Sequence, residues 1–157
     1  MSVLLSWYGI SDYRAMIGQS DTGGPLLSAL LEFNFTDVFL LCPIDKYNVE
    51  NSPETHARFL QWYSESLTET GKTVNISAVT ADLLGLDDLV GIKSAERLAF
   101  QLGSKKVGES GSITIYISPG TSLMAFGWAE IIQENPNANV RLLMSPRAGS
   151  KPIFIPH

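Results

Sequence analysis

The chain has 157 residues, of which 45% are hydrophobic and 17% charged, with a net charge of -5. That composition fits one folded domain with a buried core, and the acidic balance excludes a broad basic surface for long DNA or RNA. A single cysteine, Cys42, excludes an internal disulfide and a cysteine metal cluster, and two histidines, His56 and His157, exclude a histidine-rich metal site.

In chain order, "VLLSWYG" (3–9) reads as the first strand, and its lead-in lacks the basic region of a signal peptide. The segment "GISDYRAMIGQSDTGG" (9–24) follows. Strand-to-helix loops usually run about 2–6 residues, so this length marks either a functional loop or a surface loop with an extra helical turn. "GPLLSALLEFN" (24–34) reads as a helix, and "DVFLLCPI" (37–44) as a strand buried on both faces. "SPETHARFLQWYSESLTETG" (52–71) is a helix with Ser52 as N-cap and Pro53 in the first turn, placing His56, Phe59, Leu60, Tyr63 and Leu67 on one face. His56 on that face reads as a core histidine.

"TVNISAVTA" (73–81) alternates as a third strand, and "LLGLDDL" (83–89) is a turn whose Asp87 and Asp88 suit helix capping. A shorter helix is expected at 94–104, a strand at 112–118, a helix at 121–135 and a strand at 139–145. "KPIFIP" (151–156) is a last strand or the start of a connection. No run approaches the ~18 apolar residues of a membrane span, so a cytoplasmic protein is expected.

Strand–helix alternation predicts an open, mostly parallel α/β sheet with helices on both faces. Ligands of such sheets bind beyond the carboxyl ends of the strands, where strand order reverses. The loops after strands one, two, four and five are therefore the candidates.

The first of these loops carries Gly9, Ser11, Asp12, Tyr13 and Arg14. Asp12 and Arg14 pair an acid with a cation, but no Ser-His-Asp or Cys-His set can be assembled around them, and no catalytic residue is assigned. "DTGGP" (21–25) sets glycines before a helix, which suits either a phosphate or a plain turn. In "SPGTS" (118–122), Ser118, Gly120, Thr121 and Ser122 join a strand to a helix. Thr121 suits the cap, and the first-turn N–H groups suit an anion or, equally, ordinary capping. The helix that follows is apolar around most of its circumference, which suits core packing together with a subunit contact. In "SPRAGSK" (145–151), Arg147 and Lys151 are candidate phosphate cations or solvated loop charges.

The stretches "YISPGTSLMAFGWAEIIQENPNANVRLLMSP" and "VLLSWYGISDYRA" resemble the CRISPR-associated Rossmann fold (CARF) sensor domains, including those of sigma-54-dependent regulators of RNA repair. The resemblance covers both ends of the chain; the middle agrees in its strand–helix order. It implies a homodimeric, Rossmann-like sensor, standing alone or N-terminal to an effector. Such domains bind a short cyclic or linear oligoadenylate, or an RNA end, across the dimer. They signal to an ATPase and DNA-binding module, a nuclease or a helix-turn-helix, in antiviral defence or transcriptional regulation. Carried over, the ligand-contacting positions are Gly9, Ser11, Asp12 and Arg14, then Ser118, Gly120, Thr121 and Ser122.

The chain departs from the pattern at Pro119, which removes an N–H donor, and after Thr121, where no lysine follows. These departures leave open a nucleotide other than cyclic oligoadenylate. The alternatives are a metal-independent ring nuclease, assisted by Ser11, Thr121 or Arg147, and a dimerisation module that binds no ligand. No cofactor or metal is expected.

Overall fold

In the computed structural model, the described residues are 2–19, 23–45, 48, 51–146 and 150–155. β1 (Ser2–Trp7), β2 (Asp37–Ile44), β3 (Asn75–Asp82), β4 (Ser112–Tyr116), β5 (Val140–Met144) and β6 (Ile153–Ile155) form one six-stranded sheet in the order β3-β2-β1-β4-β5-β6. The first five strands pair in parallel, and β6 pairs antiparallel to β5. Of the two readings of residues 151–156, the last strand is the one present.

Strand alternation divides the core into two layers. Val3, Leu5 and Trp7 of β1 face one side, where they meet α4 (Leu89–Val107) and α5 (Ser122–Glu134) through Ile92, Ala99, Trp128 and Ile131. Leu4 and Tyr8 face the other, against α2 (Gly24–Glu32) and α3 (Pro53–Glu69) through Leu26, Leu30, Phe59 and Tyr63. The chain is thus a Rossmann-like α/β sheet with helices on both faces, as expected.

α3 begins where its caps predict: the Ser52 side chain accepts from the Thr55 amide, and Pro53 opens the helix. α4 departs from expectation by starting at Leu89. Asp88 caps it, accepting from the Gly91 and Leu84 amides. The early start is obscured in the sequence because Val90 is 82% exposed, which breaks the apolar period there.

A second departure lies after β1. The segment expected as a long loop opens with α1 (Ile10–Met16), a two-turn helix, so the extra-turn alternative holds at its start. Thr22 and Asp21 of "DTGGP", and Arg147, lie outside the described residues.

Candidate functional site

The order β2-β1-β4 makes the β1–β4 boundary the point where the chain reverses its direction across the sheet. The ligand crevice of a parallel sheet opens there, between the segment after β1 and the segment after β4. These two segments touch. A Cβ added to Gly9 would stand 2.7 Å from the Gly120 nitrogen, so the contact requires glycine at position 9. Gly120 has φ +98°, and a Cβ there would meet Met124 Sδ and the Trp7 side chain.

A cavity of about 190 Å³ lies at this contact. Sites enclosing drug-sized ligands hold roughly 300–1,000 Å³, so this one encloses a single ring-sized group, not a whole oligonucleotide. Four strand ends build it. β1 and α1 supply Tyr8, Gly9, Ile10 and Tyr13; the β2 end supplies Pro43 and Asn51; Leu86 comes from the β3–α4 turn; Gly120, Thr121 and Met124 come from the α5 end. The lining is largely apolar and aromatic; its residues with polar side-chain groups are Asn51, Thr121, Tyr8 and Tyr13.

Packing behind the wall sets the aromatic orientation. Tyr8 stacks on Phe59 at 4.2 Å between centroids and meets His56 edge-on at 5.6 Å. His56 is buried, as expected of a core histidine, with Nε2 2.8 Å from the Pro43 carbonyl oxygen. Burial holds its imidazole below the ordinary value despite that contact and the nearby Glu54 carboxylate. The Tyr8 hydroxyl donates to Asn51 Oδ1 at 3.3 Å.

Two buried carboxylates brace the end of β1 from opposite faces. Asp12, fully buried, accepts from the Gly9 amide at 2.8 Å and the Leu26 amide at 3.0 Å. It therefore places its own negative charge at the α2 N-terminus, where the sequence suggested room for a phosphate. Burial pushes the Asp12 carboxyl up to about 6, outweighing the two backbone donors. On the other face, Trp7 Nε1 donates to Glu96 Oε2 at 2.9 Å. Glu96 is fully buried and its Oε1 has no partner among the described residues. Burial pushes its carboxyl up to about 8, against the Trp7 hydrogen bond and the Lys93 charge.

The sequence-predicted residues separate accordingly. Gly9, Gly120 and Thr121 line the cavity. Thr121 caps α5, its hydroxyl accepting from the Met124 amide at 3.3 Å. The first-turn amides of Ser122 and Leu123 have no carbonyl one turn earlier in their own helix. Ser11, Arg14 and Ser122 are exposed and stand outside the lining. Two of the expected contact positions have partners within the chain. Asp12 is buried with both oxygens engaged by backbone, so it positions Gly9. Ser118 Oγ accepts from the Ser145 amide at 2.7 Å, tying the ends of β4 and β5 together. Arg147 lies outside the described residues, and Lys151 is exposed.

Reasoning from the sequence names Tyr13 in the first loop without assigning it to the ligand, and misses Tyr8, Asn51 and Met124. Tyr8 reads as part of the strand and Met124 as part of an apolar helix. Asn51 follows strand two, a loop the topology rule marks without singling out a residue. For α5, Met124, Gly127, Trp128 and Ile131 are buried while Phe126 is 50% exposed, so core packing accounts for most of its apolar circumference.

Among the described residues, no cluster of three or more potential metal ligands is present, and no helix is long and apolar enough to cross a membrane.

No protein-family profile matches the chain, and no curated protein matches it by sequence. Among solved structures, the fold is similar to that of Csm6 from Enterococcus italicus bound to cyclic hexa-2'-fluoro-hexa-dAMP. The TM-score is 0.74 at 13% identity, over 94% of this chain and 34% of that one. This chain therefore spans about a third of that protein's length. The likeness is one of fold, and it agrees with the Rossmann-like architecture expected from the sequence.

Proposed function

We propose that this chain is a ligand-sensing domain that binds a short oligoadenylate, cyclic or linear, or an RNA end, and passes its occupancy to a fused or associated effector. The observation that carries the reading is the ring-sized cavity at the strand-order reversal, where Gly9 meets Gly120 beside the α5 N-terminus. A base fits the aromatic and apolar cavity. The adjoining phosphate meets the first-turn amides of Ser122 and Leu123, where the helix dipole favours negative charge. Thr121 borders the ribose. Ser11 and Arg14 are outer contacts to the remaining phosphates, while Asp12 and Ser118 hold the loops in place.

Two further observations support the ligand class: the resemblance of the chain's two ends to CARF sensors, and a similar fold in a structure holding cyclic hexa-2'-fluoro-hexa-dAMP. The resemblance also supplies the homodimer, the cytoplasmic setting and a role in antiviral defence, transcriptional regulation or RNA repair as parts of this reading.

The test is calorimetric titration with a panel of cyclic and linear oligoadenylates and RNA ends, followed by re-analysis of each mixture for cleavage. Binding without breakdown, weakened in Thr121→Ala, is the expected result. Breakdown of the ligand would make the domain a ring nuclease. Absence of binding to every member, RNA ends included, would overturn the reading in favour of a dimerisation module.

A further inference from the structure

Asn51 stands apart from the other polar groups of the cavity. It is 6% exposed, yet it lines the open space. Its backbone is held on both sides: the Asp45 amide donates to its carbonyl at 3.1 Å, and its own amide donates to the Asn48 carbonyl at 3.0 Å. Its side chain is oriented too. The Tyr8 hydroxyl donates to Oδ1 at 3.3 Å, so Oδ1 faces Tyr8 and Nδ2 points the other way. Among the described residues, Nδ2 has no hydrogen-bond partner, and it is not one of the buried polar atoms sealed from solvent. A buried amide whose donors are spare and whose oxygen is held by a neighbour is poised for a ligand.

We propose that Asn51 is the base-reading residue of this site and that it selects a 6-aminopurine ring. Nδ2 donates to a ring nitrogen, and the second lone pair of Oδ1 accepts from the neighbouring exocyclic amino group. An asparagine amide matches that donor–acceptor edge with two hydrogen bonds. Hypoxanthine carries an oxygen where adenine carries the amino group. In the same pose that oxygen faces Oδ1, two acceptors with no proton between them. An amide free to turn would relieve the conflict by presenting Nδ2. The Tyr8 hydroxyl disfavours the turn: as placed it donates to Oδ1, and it would have to swing its own proton away to accept from Nδ2. Tyr8 is thus a positioning residue, and the selectivity belongs to the Tyr8–Asn51 pair. This inference rests on the nucleotide reading of the cavity and adds which atoms discriminate the base.

The experiment compares cyclic hexaadenylate with its all-inosine counterpart, and the linear forms alongside, by calorimetry on the wild-type chain and three variants. Wild type is expected to prefer adenine by about tenfold or more. Asn51→Ala should bind the two bases equally, and Asn51→Asp, nearly isosteric, should lose adenine affinity by about tenfold or more because an acceptor replaces the donor. Tyr8→Phe keeps the ring on Phe59 and should narrow the preference while retaining adenine binding. Thermal melts verify folding, and the near-isosteric and phenylalanine variants keep the test decisive where Asn51→Ala does not fold. An adenine preference that survives Asn51→Ala or Asn51→Asp overturns the assignment and leaves nucleotide binding intact. Wild type that binds no adenine or inosine form, cyclic or linear, overturns the oligoadenylate reading, and this inference with it.

Discussion

Gly9 and Gly120 lie backbone against backbone, close enough that a Cβ on Gly9 would stand 2.7 Å from the Gly120 nitrogen. This contact joins the ends of two neighbouring parallel strands and forms one wall of the cavity. The neighbour is main chain, so no side-chain rotation can relieve a clash. Gly9→Ala is expected to part the two loops, costing about 1–3 kcal/mol in urea unfolding. It should also lower nucleotide affinity more than Ser11→Ala, whose site is exposed and outside the lining. Equal affinity of Gly9→Ala and wild type would show that the loop contact does not shape the site.

The Glu96 carboxyl should lower stability as pH rises from about 4.5 to 8, with His56, held below its ordinary value of 6.5, acting in the opposite sense below that pH. Glu96 has an ordinary value of 4.5, raised to about 8 in the fold. Between those values the folded chain keeps a proton that the unfolded chain has released, so the unfolding free energy decreases with pH. Asp12 adds the same sign over a lower window, from 3.8 to about 6. Glu96→Gln keeps an acceptor for Trp7 Nε1 and carries no charge at any pH. It should therefore be more stable than wild type at pH 8 by a few kcal/mol, since each pH unit across the window contributes about 1.4 kcal/mol. At pH 4 the two proteins should be nearly equal. Thermal or urea unfolding across that range, with both proteins, checks the sign. A wild-type profile that rises from pH 5 to 8, with Glu96→Gln parallel to it, would contradict the burial account of Glu96.

Gly127 on α5 faces the same carboxylate. A Cβ there would collide with Glu96 Oε1, so the two helices approach only because position 127 has no side chain. Gly127→Ala is expected to destabilise by about 1–3 kcal/mol in spite of the better helix propensity of alanine. In a Glu96→Ala background the added methyl has room, and the penalty should shrink or change sign. A double-mutant cycle measures the difference, and additive effects would mean that the helices part by another route. The indole N–H resonance of Trp7 should move in Gly127→Ala, because displacing Glu96 removes its acceptor.

Much of the fold is legible because its signals are local. The apolar run of "DVFLLCPI" marks a strand covered on both faces, and both layers of the core do contact it. Ser52 and Pro53 mark the start of α3 through a hydrogen bond that spans three residues. The start of α4 is less legible, since Asp88 caps a turn whose next apolar residue, Val90, faces outward. The short α1 is hidden because Asp12, the residue that anchors it, resembles a ligand-facing acid in sequence. Only its burial and its two backbone donors reveal a structural anchor.

For the candidate site, the sequence alone determined the edge of the sheet to inspect, the glycines at the two strand ends and the cap at Thr121. Periodicity and capping are encoded in neighbouring residues, and the rule for parallel sheets converts them into a location. Tertiary structure decided which of those residues meet and what joins them. Asn51 lies 43 positions from Tyr8, and Glu96 lies 89 from Trp7, yet both pairs are hydrogen-bonded. No local pattern records such contacts, because they arise only when parallel strands bring distant loops to one edge and helices from both faces close on β1.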